Sequence, residues 1–376
     1  MNIYLVIIVA AIIAEFVLKT LASWLDIANL RLTLPDEFDG YYSEKKYANS
    51  QNYLKVNTLF SVLASFFELL ILLFIILFGG FNILDELVRS YGYAPLTSGL
   101  IFFGVLFLLQ DIISTPFSLY HTFVIEERFG FNKTTPQTFL LDKLKGYILT
   151  ILFAGVILAL VLGVFENMGP FAWLYVWVML ACFSVLLQPL FTTFIAPLFN
   201  TFTPLEEGSL KKLISGFAKK VDFPIERIDV MDGSLRSSKA NAYFSGLGKK
   251  KRIALFDTLI KEHSDKELLA IFAHEVGHYK KGHIVRGIIL SIIQMGLMLY
   301  CLSLFLNNEN LFSAFQMENL SIYGSLVFFS LLYSPLQMML SMINNFISRK
   351  NEFEADRFAK EYMGSGNELI CSLKKL

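Results

Sequence analysis

Residues 274–306 read HEVGHYKKGHIVRGIILSIIQMGLMLYCLSLFL: the pentapeptide His274-Glu275-Val276-Gly277-His278, then six residues later an apolar run long enough to cross a bilayer. Residues four apart on a helix share a face, so both imidazoles can reach one point in space. The glutamate between them stands beside that point. A metal-dependent hydrolase needs this set, two imidazole ligands and a carboxylate that takes a proton from a bound water. Histidine is scarce in the chain (His121, His263, His274, His278 and His283), so composition alone does not produce the pattern. The competing reading is a helix surface carrying two solvated histidines.

The apolar run has company. Hydrophobic residues make up 55% of the 376-residue chain and charged ones 17%, which is too apolar and too weakly charged for a soluble protein of this length. Seven segments are long enough to span a membrane, at 3–24, 58–79, 98–120, 147–164, 171–193, 284–306 and 321–347. The first lacks a basic leader and a small-residue cleavage site, so it is read as a retained span. A formal net charge of zero gives no reason to expect nucleic acid. Cys182, Cys301 and Cys371 are far apart and fit no C-x-x-C pattern, which indicates neither a disulfide framework nor a cysteine metal site.

Lysine and arginine set the orientation. Seven spans put Arg31, Lys45, Lys46, Lys55, Arg128, Lys133, Lys143, Lys145, the basic loop 211–252, Arg349 and Lys350 on one side, and only Arg89 in the opposite loops. The basic side is read as cytosolic and the N-terminus as outside, in an endoplasmic reticulum membrane or a bacterial inner membrane. Several spans carry polar groups at membrane depth: Glu15, Lys19, Glu68, Gln110, Asp111, Gln188, Gln294, Gln337, Asn344 and Asn345. Such groups are too costly to face lipid. They pair across helix interfaces, or they line water-filled space of the kind a hydrolase needs.

The chain divides into spans 1–5 with their loops (1–194), a segment of mixed composition (195–283), spans 6 and 7 (284–347), and a terminal segment (348–376). In the second part, 203–208 reads as a turn before an amphipathic helix with Leu210, Leu213, Ile214 and Phe217 on one face. Residues 228–231 read as a strand, and 241–245 with 252–256 as a hairpin. Ser264-Asp265-Lys266-Glu267 is a capping-box pattern that opens the motif helix. A catalytic zinc site needs three protein ligands. The third histidine used by metzincins would fall at Ile284, and His283 is one residue short of it. Asn351-Glu352-Phe353-Glu354-Ala355-Asp356 offers a carboxylate instead. Glu352 and Asp356 share a helix face, so Glu352 is expected to ligate one Zn2+ ion with His274 and His278, while Asp356 accepts the N–H of a ligating histidine. Glu354 points elsewhere and reads as a solvated helix charge. Glu275 is the expected general base. The strand at Asn241, Ala242 and Tyr243 is a candidate to hold an extended peptide by edge pairing, with an ordinary structural strand as the alternative.

On these residues the chain resembles the integral-membrane type I CaaX prenyl proteases over nearly its whole length. The resemblance also rests on Glu126-Glu127-Arg128-Phe129-Gly130-Phe131-Asn132-Lys133-Thr134-Thr135, on Ile195-Ala196-Pro197-Leu198-Phe199-Asn200 with Phe202-Thr203-Pro204-Leu205, and on Asn241-Ala242-Tyr243-Phe244. It implies a mainly α polytopic membrane protein, with seven transmembrane helices forming a barrel around a hydrated chamber and a small α+β zinc metalloprotease (gluzincin-like) domain. It implies removal of the last three residues of prenylated CaaX proteins, with membrane lipid and the prenylated peptide as partners. Two other readings remain: a membrane quality-control protease of the heat-shock metalloprotease type, and a non-catalytic scaffold, against which an intact Glu275 argues. Family members carry a histidine-proline-proline element beyond the third ligand, whose histidine is thought to stabilise the oxyanion. No histidine follows His283, and Leu376 falls inside what reads as a continuing helix, so a longer natural sequence is expected.

Overall fold

A computed structural model describes residues 2–31, 33–41, 43–239, 241–245 and 251–375. Among these residues, seven helices are long and apolar enough to span a bilayer: α1 (Ile3–Ala28), α2 (Glu44–Leu77), α3 (Pro95–Glu126), α4 (Pro136–Asn167), α5 (Gly169–Leu187), α8 (His283–Phe305) and α9 (Ile322–Met363). Between α5 and α8 lie a four-stranded sheet and the helices α6 (Ser209–Lys220) and α7 (Asp265–Lys280), and α10 (Asn367–Lys375) follows α9.

The spans form a closed ring. α1 packs on α2, α2 on the last turns of α3, α3 on α4, α4 on α5, α5 on α8, α8 on α9, and α9 returns to α1. Only between 6% and 17% of each span's most apolar window is buried. Helices in a solid bundle bury their inner faces; here both faces are uncovered, so the ring encloses space that side chains do not fill. The polar groups at membrane depth divide between the two expected roles. Asp111 pairs with Lys143 at 2.8 Å and accepts from the Tyr147 hydroxyl, and the Gln294 and Asn344 amides bond across α8 and α9 at 3.0 Å. Glu68, Gln110, Gln337 and Asn345 are exposed, which lipid would penalise and an enclosed aqueous space does not. The side chain of Gln188 lies outside the described residues.

The ring is closed tightly at the end away from the sheet. There, short helices at Gly80–Ser90 and Glu309–Ala314 pack an aromatic cluster in which Phe315 stacks on Phe328 with centroids 4.0 Å apart. A side chain on Gly99 would meet Leu162 at 2.8 Å and Tyr323 at 3.1 Å, so that end tolerates no larger residue there.

At the other end sits the sheet, in the order β1 (Phe202–Pro204), β2 (Ile225–Met231), β4 (Lys251–Phe256), β3 (Ala242–Ser245). β2 and β4 run parallel, and β1 and β3 are antiparallel edge strands. The expected hairpin is present as β3 and β4. The turn read at 203–208 is half right: Thr203 and Pro204 belong to β1, where an edge position tolerates proline. α6 buries Leu210, Ile214 and Phe217, but Leu213 stays 39% exposed, one step off the buried stripe. The sheet, α6, α7, α9 and α10 share one core that includes Ile253, Leu255, Phe272, Val276, Phe358 and Leu369.

Candidate metal centre

α7 begins at the expected capping box: the Ser264 hydroxyl accepts from the Glu267 N–H, and the Glu267 carboxylate accepts from the Ser264 N–H at 2.8 Å. Its Phe272, Ala273 and Val276 go into the core, which turns His274, Glu275 and His278 to the other face, half-buried. α9 is one helix of 42 residues. At about 1.5 Å per residue it runs roughly 63 Å, twice the hydrocarbon thickness of about 30 Å. Its second half therefore leaves the membrane as a continuous rod and carries Glu352 and Asp356 to α7. The two helices meet at Gly277, where a Cβ would stand 3.0 Å from the Ala355 Cα and 3.1 Å from its carbonyl oxygen. Glycine at this x position of the motif sets the distance between the candidate ligands on the two helices.

The candidate ligand atoms converge. His274 Nε2 lies 3.1 Å from His278 Nε2, Glu352 Oε2 lies 3.3 Å from the first and 3.5 Å from the second. Donors about 2.1 Å from one tetrahedral ion stand roughly 3.4 Å apart, so the three atoms fit around a single metal. The hydrogen bonds behind them agree. Asp356 Oδ1 accepts from His274 Nδ1 at 2.8 Å, which leaves a lone pair on His274 Nε2. Burial pushes the His278 imidazole down, toward its neutral form. Two imidazole nitrogens and a carboxylate oxygen thus converge on one point, an arrangement that a bound cation would satisfy. Glu275 sits beside the cluster, and burial pushes its carboxyl up, which makes it a stronger base.

Asn241 and Ala242 line a cavity of about 180 Å³ together with His274, Glu275, Ile271 and Leu373. Tyr243 stands opposite Ala254 in the register of β3 with β4, and its side chain lies outside the described residues. β3 is an edge strand of the sheet, and Asn241 and Ala242 at its start are the residues that lie on this cavity.

The string beginning at Glu126 holds this edge in place. The Lys133 N–H donates to the Arg236 carbonyl at 3.0 Å and the Ser238 N–H to the Phe131 carbonyl at 3.2 Å. Arg236 forks onto Asp142 at 2.8 and 3.0 Å. Lys239 pairs with Glu126 at 2.9 Å, and the Tyr53 hydroxyl donates to the same carboxylate. The residues just before β3 are thereby stapled to α2, α3 and α4.

Glu354 is not a solvated charge. Its carboxylate accepts from His283 Nε2 at 3.0 Å, and its side chain is only 28% exposed. His283, set aside because its spacing fails the metzincin pattern, is buried and stands 3.1 Å from His278 by its Nδ1. Gly282, at φ +72°, ends α7 and turns the chain so that His283 can approach. The clue in the sequence was three of five histidines falling within ten residues.

A family model described as the CAAX prenyl protease N-terminal, five membrane helices, matches residues 26–201, and one described as peptidase family M48 matches residues 204–376. The chain belongs to the CAAX prenyl protease family. It is a metallopeptidase and an integral, multi-pass membrane protein. It is 33% identical to the mouse CAAX prenyl protease 1 homolog, over 91% of this chain and 82% of that one. It is also 33% identical to the Arabidopsis thaliana homolog, over 98% and 89%, and 37% identical to a probable CAAX prenyl protease 1 of Schizosaccharomyces pombe, over 85% and 71%. The crystal structure of S. mikatae Ste24p superposes with a TM-score of 0.92 at 31% identity, covering 100% of this chain and 92% of that one. The family thus accounts for both halves of the molecule, the ring and the α7–α9 crossing.

Proposed function

We propose that this chain is a zinc metalloendopeptidase that removes the three C-terminal residues of prenylated CaaX proteins at the membrane surface. The carrying observation is the convergence of His274 Nε2, His278 Nε2 and Glu352 Oε2 within 3.1–3.5 Å of one another beside Glu275. The substrate class rests on the names of the relatives.

His274, His278 and Glu352 would hold zinc, which when bound supplies an acidified water and a polarised scissile carbonyl. Asp356 orients the His274 ring. Glu275 takes the proton of the attacking water and returns it to the leaving amine. The outer edge of β3, at Asn241, Ala242 and Tyr243, holds the peptide extended across the site. The space inside the ring supplies water. The distribution of lysine and arginine supports a cytosolic catalytic unit and an N-terminus on the far side, in the endoplasmic reticulum or a bacterial inner membrane.

The test is cleavage of a farnesylated CaaX peptide by the purified protein, with a chelator and Glu275→Gln as controls. Chelator-sensitive release of the tripeptide, lost in Glu275→Gln, is expected. Cleavage of unfolded casein in preference to that peptide would overturn the substrate assignment, and cleavage that survives the chelator would overturn the metal.

A further inference from the structure

We propose that His283 and Glu354 form a two-residue relay that fixes the orientation and tautomer of His278, as Asp356 does for His274. This inference deepens the metal-centre reading and rests on it. Ionised carboxylates only accept hydrogen bonds. Glu354 Oε2 lies 3.0 Å from His283 Nε2, so that nitrogen carries the proton. The other nitrogen of a neutral His283 is then an acceptor, and it lies 3.1 Å from His278 Nδ1. His278 therefore donates from Nδ1 and presents the lone pair of Nε2 to the convergence point. The result matches His274, reached by a different route: one carboxylate bond on α9 for His274, and a histidine with a carboxylate beyond it for His278.

The relay also explains two placements that the ligand set leaves over. His283 is 5% exposed, deeper than any of the three proposed ligands, and a buried imidazole needs partners for both nitrogens. Glu354 sits two residues from Glu352, on the side of α9 that faces the start of α8. One helix thus places carboxylates on both flanks of the site: Asp356 reaches α7, and Glu354 reaches the first residue of α8. The junction of α7 and α8, where the catalytic unit becomes a membrane span, is tied to the ligand helix by the same bonds. Arg286 stands 3.9 Å from the Glu354 carboxylate and is itself largely exposed, so it adds little to the hold.

The experiment measures zinc affinity of the full-length chain in detergent by competition with a chelating dye. His283→Phe keeps a ring and removes both nitrogens, while His283→Gln keeps one acceptor and one donor. Loss of an outer partner of a ligating histidine costs roughly 10- to 100-fold in metal affinity, so His283→Phe is expected in that range and His283→Gln within about threefold of the parent. Glu354→Leu tests the far end without touching the buried ring. Its loss is expected near the lower limit, about tenfold, and combining it with His283→Phe adds no further loss. Thermal unfolding of the metal-free forms shows that each variant folds, and Glu354→Leu carries the test should His283→Phe not fold. Affinity unchanged in His283→Phe, equal losses in the Phe and Gln variants, or fully additive losses in the double variant would overturn the relay. A parent chain that binds no zinc would sink the metal-centre reading itself, and the relay with it.

Discussion

The membrane ring and the catalytic unit are packed by opposite rules. In the ring, away from its closed aromatic end, the spans touch their neighbours along narrow seams and bury little of either face. In the catalytic unit, α7 is clamped between the sheet, α6, α9 and α10, with Ala273 and Val276 fully buried. The contrast follows from what each part has to do. A hollow ring gives a lipidated substrate and water a common place to meet, and it needs only enough contact to stay closed. A metal centre needs its ligands held to within fractions of an ångström, so the helix carrying two of them cannot rattle. α9 belongs to both regimes: its first half is a wall of the ring and its second half a wall of the site.

Five substitutions break or sharpen this comparison. The largest effect is expected at the chemistry. Glu275→Gln keeps the shape and removes the proposed base, so kcat should fall by about 10²- to 10⁴-fold while bound zinc is retained. Zinc lost along with activity would mean that Glu275 acts as a ligand. Next comes packing density. Gly277→Ala forces α7 away from the Ala355 backbone and should cost about 1–3 kcal/mol of stability, with weaker zinc binding. Gly287→Ala, in α8 with nothing within 4 Å of the added carbon, should change stability by no more than about 0.5 kcal/mol. Similar costs at both glycines, read by thermal unfolding in detergent, would contradict the difference between ring and site.

The fourth substitution cuts the tie between them. Lys239→Met removes the ion pair with Glu126 and frees the residues before β3. A half-exposed charge-assisted bond of this kind is worth a modest amount, so KM for the peptide should rise by about three- to tenfold while kcat holds. A fall in kcat at constant KM would place Lys239 with the chemistry and not with substrate positioning. The smallest effect is the cap. Ser264→Ala opens the start of α7 and should lower stability by about 1 kcal/mol with zinc affinity nearly unchanged.

Features set by short-range rules were legible in the sequence. Hydropathy located all seven spans, helical spacing paired His274 with His278 and Glu352 with Asp356, and the capping box marked the start of α7. Features that depend on how distant elements meet were not legible. The contact between His283 and Glu354 joins residues 71 positions apart and exists only because α7 and α9 cross at Gly277. Spacing placed Glu354 away from Glu352 and Asp356, which is correct, but it carried no information that α8 begins on that side. β1 was hidden because Pro204 reads locally as a turn, and only its pairing with β2 makes it a strand. The string from Glu126 to Thr135 stood out without a reason. Its reason is tertiary, since it grips residues 236–239 from across the chain.

X-ray absorption at the zinc edge of the purified, detergent-solubilised protein tests the central claim most directly. The account predicts one zinc per chain in a shell of nitrogen and oxygen at about 2.0–2.1 Å, with two imidazole rings that fall to one in His278→Ala. A sulfur-containing shell, or two rings still present in that variant, would contradict it.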